Sequence, residues 1–202
     1  SDGVQLRRTH LATYIKDIER SESGNAFLMV SEDALDHRAL VRFLLPPACF
    51  EPGLENLPSC LQCQTCMVIG GKGATSKLHR DPLTWFGWNF LVLGTTRWAL
   101  FPPSTPISSI GAKCGNWGSG VAEANSFSEA SWRDGRPEMW EVEQSMGDVL
   151  LIPPGWWQQC LYEERSLALR GQGVTEACLP LVVEGLPVGS GGCVGDTKTL
   201  LE

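Results

Sequence analysis

From about residue 65 onward the chain is cut into short apolar runs, each closed by turn residues: 65–70, 76–80, 87–93, 96–101, 140–143, 148–152, 157–162 and 166–170. Runs of this length match strands rather than core helices, and the Gly and Pro between them end one ladder and redirect the chain into the next. So many short strands predict a mainly β fold in which two sheets close on each other, a jelly roll or barrel. The 22 Gly and 13 Pro in 202 residues agree with that and argue against a helical bundle.

The segment ahead of the strands reads differently. Leu11, Tyr14, Ile15 and Ile18 recur at helical spacing, predicting a helix over 10–20 that Gly24 and Asn25 close off. A short strand is expected over 26–30. A second helix is expected over 36–45, with Leu40, Phe43 and Leu44 on one face and Pro46-Pro47 as its stop. Residues 1–64 are therefore assigned as the N-terminal helical lead-in of the same domain, 65–172 as its β core and 173–202 as a Gly-rich tail. The Ser/Gly/Ala-rich stretch 104–137, carrying Trp117 and Trp132, is too long for a plain connection and reads as an insertion, either a lid or partly disordered.

Charge narrows the partners. With 16 basic against 23 acidic residues the net charge is −7, so direct nucleic-acid binding is not expected, and the partner class is protein. No apolar run reaches the ~20 residues of a membrane span, and no signal-peptide stretch opens the sequence. The 8 cysteines are then expected to be reduced thiols. Cys60, Cys63 and Cys66 form C-x-x-C-x-x-C, which invites a zinc reading. A spacing of three on a strand alternates faces, however, so buried thiols are the favoured reading.

Histidine is scarce, with only His10, His37 and His79. His79-Arg80-Asp81 is H-x-D on an expected strand, where alternation turns the imidazole and the carboxylate to one face. That supplies two of the three donors of a two-His-one-carboxylate iron site. The surrounding segment, S-K-L-H-R-D-P-L-T-W-F-G-W-N-F-L-V-L-G-T-T-R-W-A-L-F-P-P-S-T-P (76–106), resembles the core of a Jumonji C (JmjC) domain, and G-D-V-L-L-I-P-P-G-W-W (147–157) matches its second half. The resemblance is to the arginine-demethylase and lysyl-hydroxylase type, and with R-F-L-L-P-P-A-C-F (42–50) it extends over roughly residues 10–172. It implies a double-stranded β-helix of the cupin/jelly-roll kind with N-terminal helices, an Fe(II) site, 2-oxoglutarate as co-substrate and a nuclear location; composition alone leaves nuclear and cytoplasmic equally open.

Residue by residue the resemblance places His79 and Asp81 on the first two iron ligands, and Ser76 and Asn89 in the 2-oxoglutarate pocket. Two positions depart from it. Gln158 stands where the family's distal iron-binding His follows Gly-Trp-Trp, and Thr96 stands where the family's Lys pairs with the far carboxylate of 2-oxoglutarate. No His follows position 79, so none replaces the lost ligand from that side. An amide oxygen is a far weaker donor than imidazole for a borderline metal, which makes Gln158 a weak third ligand at best. Arg170 has two readings: a substitute for the missing Lys, or an ion-pair partner of Asp81 in an empty pocket. Lys77 is a lesser substitute. Trp98, Trp156 and Trp157 read as packing, Trp85 and Trp88 as candidates for the pocket mouth, and Cys160 as a thiol facing the same space without a base to activate it.

No residue is assigned a catalytic role. The two departures predict that Fe(II) and 2-oxoglutarate bind weakly or not at all, and they favour a catalytically degenerate JmjC domain, a pseudo-oxygenase, kept as a protein-interaction or scaffolding module. The alternative is an active Fe(II)/2-oxoglutarate-dependent protein hydroxylase or demethylase built on His79, Asp81 and Gln158. A third reading is a sensor of a small carboxylate that performs no oxidation.

Overall fold

The computed structural model describes residues 10–20, 28–31, 65–81, 85–110, 125–128, 132, 135–175 and 180. In chain order these form α1 (Leu11–Arg20), β1 (Leu28–Ser31), β2 (Thr65–Gly70), β3 (His79–Arg80), β4 (Phe86–Leu93), β5 (Thr95–Phe101), a 3-10 turn (Ile107–Ile110), β6 (Trp140–Ser145), β7 (Val149–Ile152), β8 (Trp157–Tyr162) and β9 (Ser166–Gly173). The helix expected over 36–45, Cys60, Cys63 and Trp117 lie outside the described residues.

The strands build two sheets, one ordered β1-β2-β9-β4-β7 and one ordered β3-β8-β5-β6. Every pairing is antiparallel. The fold is the mainly β jelly roll expected from the strand pattern. Alternation along each strand sorts side chains into three layers. Val68 and Ile152 from the first sheet meet Trp98, Leu100, Cys160 and Tyr162 from the second in the space between the sheets. Outside the second sheet, Leu78, Ala99, Phe101 and Trp157 pack with Ile110. Outside the first, Met67, Trp88 and Leu169 form a further apolar cluster. At roughly 1.5–3 kcal/mol per fully buried large apolar side chain, these layers are what hold the sheets face to face.

Three local findings position the site. Tyr14 donates its hydroxyl to the Ile69 carbonyl at 2.9 Å, tying α1 to β2. Within the described part of the 104–137 stretch a few residues anchor it to the second sheet: Ile110 is fully buried, Trp132 meets Phe101 edge-on at 6.0 Å, and the Ser126 N–H donates to Gln159. The β6–β7 turn closes on Gly147, whose φ of 94° favours glycine, and Asp148 accepts from the Ser145 N–H at 2.8 Å.

Two expectations are corrected. The strand expected over 76–80 is confined to His79–Arg80. Ahead of it the segment still touches β8 through an isolated bridge, Thr75 opposite Leu161, and the Ser76 N–H donates to the Cys160 carbonyl at 2.9 Å. Side chains interrupt the regular ladder there, Cys160 N–H donating to the Ser76 hydroxyl at 2.8 Å and the Gln159 amide to the Ser76 carbonyl at 2.9 Å. Trp88 does not line the pocket mouth. It packs outside the first sheet, over Gly171, where a Cβ would come within 2.6 Å of the indole.

Candidate functional site

In the second sheet, His79 of β3 lies directly opposite Gln158 of β8. In the first sheet, Arg170 of β9 lies between Cys66 of β2 and Asn89 of β4. Alternation turns all of these toward the space between the sheets, and there the chemistry-bearing side chains meet.

Arg170 makes the central contacts. Its Nη2 is 2.5 Å from His79 Nε2 and 3.5 Å from Asp81 Oδ1. A guanidinium has donors only, so Nε2 must accept; the ring proton therefore sits on Nδ1, which donates to the Lys77 carbonyl at 2.7 Å. His79 is thus a neutral imidazole of fixed tautomer. Burial first, and the Arg170 charge second, push its pKa down to about 4, against the opposing pull of Asp81 and the Lys77 carbonyl.

Asp81 lies just past the end of β3 and is 6% exposed. Its Oδ2 accepts from Gln158 Nε2 at 2.7 Å, and its Oδ1 accepts from Gln172 Nε2 at 2.6 Å in addition to the Arg170 pair. Gly87 makes room for the carboxylate, since a Cβ there would fall 2.7 Å from Oδ2. Gln158 is fully buried, and because its amide N–H faces Asp81, its Oε1 is left without a hydrogen-bond partner.

The other end of the interior is neutral. Thr96 and Gln144 are cross-strand partners on β5 and β6. Thr96 donates its hydroxyl to Gln144 Oε1 at 3.2 Å, and the Trp98 indole donates to the same oxygen at 2.9 Å. Gln144 Nε2 then donates to the carbonyls of Asn89 and Asp148, each at 3.0 Å. Asn89 is 2% exposed, and its Oδ1 has no partner. Burial pushes the Cys160 thiol up to about 12, which leaves it un-ionised and a poor nucleophile near neutral pH.

The structure therefore brings His79, Asp81, Gln158 and Arg170 together and keeps Thr96 in a separate network. Ser76 is occupied as an acceptor for the Cys160 backbone. Sequence reasoning missed Gln172 and Gln144. Each lies just past a strand end as expected from sequence, at 170 and 143, and alternation along the expected strands does not reach it.

The donors that would face a divalent ion do not fit one in this arrangement. The one free lone pair of His79 points at a guanidinium, both Asp81 oxygens accept from N–H groups, and Gln158 offers an N–H rather than its oxygen. Among the described residues no three His, Cys, Asp or Glu side chains converge as metal ligands. No described helix is long and apolar enough to cross a membrane.

No family model matches the chain. Similarity to curated proteins is found over about half of it. The bifunctional arginine demethylase and lysyl-hydroxylase of Caenorhabditis briggsae is 28% identical over 109 residues, covering 50% of this chain and 28% of that protein. Its Caenorhabditis elegans counterpart is 28% identical over 109 residues, covering 50% and 27%. An arginine-specific demethylase of Arabidopsis thaliana is 29% identical over 126 residues, covering 58% and 24%. The matched stretch spans about a quarter of the length of these relatives. The similarity supports the JmjC relationship that the motifs 76–106 and 147–157 point to.

Proposed function

We propose that this chain is a catalytically degenerate JmjC-type domain, a pseudo-oxygenase, that acts as a protein-interaction or scaffolding module. The observation that carries this reading is the occupation of the would-be ligand atoms: His79 Nε2 by Arg170, and the two Asp81 oxygens by Gln158, Gln172 and Arg170. Thr96 adds to it, because a neutral hydroxyl bonded to Gln144 supplies no cation for a co-substrate carboxylate. Retention of the shell without its chemistry is what a binding role requires, since a fold does not impose its relatives' activity. The partner is a protein, met in the nucleus or cytoplasm, and the 104–137 stretch is the part of the chain assigned to it. An interaction of that kind survives His79→Ala and Asp81→Ala and is lost when 104–137 is deleted.

The alternative, an Fe(II)/2-oxoglutarate-dependent hydroxylase or demethylase on His79, Asp81 and Gln158, has the names of the similar proteins in its favour. Thermal unfolding with and without Mn(II), each with and without 2-oxoglutarate, separates the two. A ligand at 100 times its dissociation constant stabilises by about 2.7 kcal/mol, which moves the midpoint of a chain this size by roughly 5–10 °C. No shift is expected under any of these conditions. A shift that needs both ligands and disappears in Asp81→Ala would return the chain to the oxygenases.

A further inference from the structure

We infer that Arg170, rather than the loss of histidine at position 158, is what bars a divalent ion from His79 and Asp81: the guanidinium serves this pair as a built-in cation, and removing it uncovers a latent metal site. The inference rests on the proposed function above, in that the native chain is taken to be metal-free.

Three contacts carry it. With Nδ1 protonated and committed to the Lys77 carbonyl, Nε2 is the ring's sole donor to a metal, and Arg170 Nη2 stands 2.5 Å from it. The same nitrogen pairs with Asp81 Oδ1 at 3.5 Å, so a positive charge already answers the carboxylate, and a dication placed there would face the guanidinium at close range. Gln158 is the smaller barrier. It is neutral and its Oε1 has no partner, so turning the amide to present oxygen costs only the Nε2 bond to Asp81 and no charge repulsion. Gln172 is likewise a neutral amide whose oxygen is a hard donor. Without Arg170 the pocket would offer one imidazole nitrogen and a carboxylate, joined by two amide oxygens once Gln158 and Gln172 turn from donating to Asp81, a mixed N/O set suited to Co(II), Ni(II) or Zn(II).

The test uses the full chain as wild type, Gln158→His, Arg170→Lys, Arg170→Ala and the double variant Arg170→Ala/Gln158→His. Each is titrated with Co(II) and followed by its visible absorption and by the thermal midpoint. Wild type, Gln158→His and Arg170→Lys are expected to show no saturable binding. Arg170→Ala is expected to bind, and the double variant at least tenfold more tightly. If Gln158→His alone binds as tightly as the double variant, or Arg170→Lys as tightly as Arg170→Ala, the blocking role of the guanidinium is overturned while the metal-free reading of the native chain stands. Saturable binding by wild type would instead overturn both. Should Arg170→Ala fail to fold alone, recovery of its β-sheet circular dichroism on adding Co(II) supports the inference, and no recovery overturns it.

Discussion

The interior between the sheets has one end, at β3 and β8, governed by charge, and another, at β5 and β6, governed by neutral hydrogen bonds. At the first, Asp81 keeps its carboxylate and is answered by Arg170, Gln158 and Gln172. At the second, Thr96 stands where the resemblance expects a lysine, and the vacancy in charge is filled by the Thr96–Gln144–Trp98 network. The difference teaches a general point. A buried charge that is retained must find a counter-charge or several donors, because desolvation otherwise costs several kcal/mol. A charge that is lost leaves only polar groups, which neutral partners satisfy.

That contrast can be broken in four ways. The largest effect is expected from Arg170→Met, which leaves Asp81 buried with amide donors alone and should cost about 3–5 kcal/mol in denaturant unfolding. In an Asp81→Asn background most of that cost should vanish. Additivity of the two changes to within about 0.5 kcal/mol would mean that charge does not govern this end.

At the neutral end, Gln144→Leu removes the acceptor of Thr96 and Trp98 and the donor to two carbonyls, and should cost about 2 kcal/mol. The loss should be the same at low and high salt. A strong salt dependence would show that this end carries charge after all.

The pH response separates the ends with a smaller effect. His79 in the fold has a pKa of about 4 against an ordinary 6.5, so below 6.5 the unfolded chain takes up a proton that the fold refuses. Stability from this group is therefore complete above pH ~6.5 and is lost progressively as pH falls toward about 4. His79→Gln should flatten that part of the profile, whereas Gln144→Leu should leave its shape unchanged. Urea unfolding at half-unit pH steps reads both.

Thr96→Val should be the mildest change, at about 1 kcal/mol or less, because Trp98 retains Gln144 Oε1 as its acceptor. A loss comparable to that of Arg170→Met would sink the view that Thr96 is a minor member of a redundant network.

Much of the architecture was legible in the chain. The runs 65–70 and 157–162 coincide with β2 and β8, because short apolar runs between turn residues mark buried strands, and the helix over 10–20 coincides with α1, where Tyr14 is buried although Ile15 is exposed. Strand ends were less legible. The run expected over 76–80 shrinks to His79–Arg80 because the Ser76 hydroxyl and the Gln159 amide take over part of the pairing with β8, leaving only the Ser76 N–H bond and the Thr75–Leu161 bridge of the backbone ladder, an exchange that no hydropathy pattern records. β6 and β9 run past their expected ends at 143 and 170, and the overlooked residues, Gln144 and Gln172, sit on those extensions.

By itself the sequence determined a mainly β chain with His79 and Asp81 brought toward one pocket, Gln158 in place of a third histidine and an uncharged Thr96. The fold class and the shared face of His79 and Asp81 follow from strand patterning and alternation, whereas the places of Gln158 and Thr96 follow from the resemblance of 76–106 and 147–157 to JmjC domains. Which partner Arg170 takes was decided only by the tertiary structure. Both a co-substrate carboxylate and Asp81 were open to it, since alternation states the face a side chain occupies but not what stands across from it. The packing of two sheets about 10 Å apart sets that distance, and it places the guanidinium of β9 against the imidazole of β3 and the carboxylate beyond it.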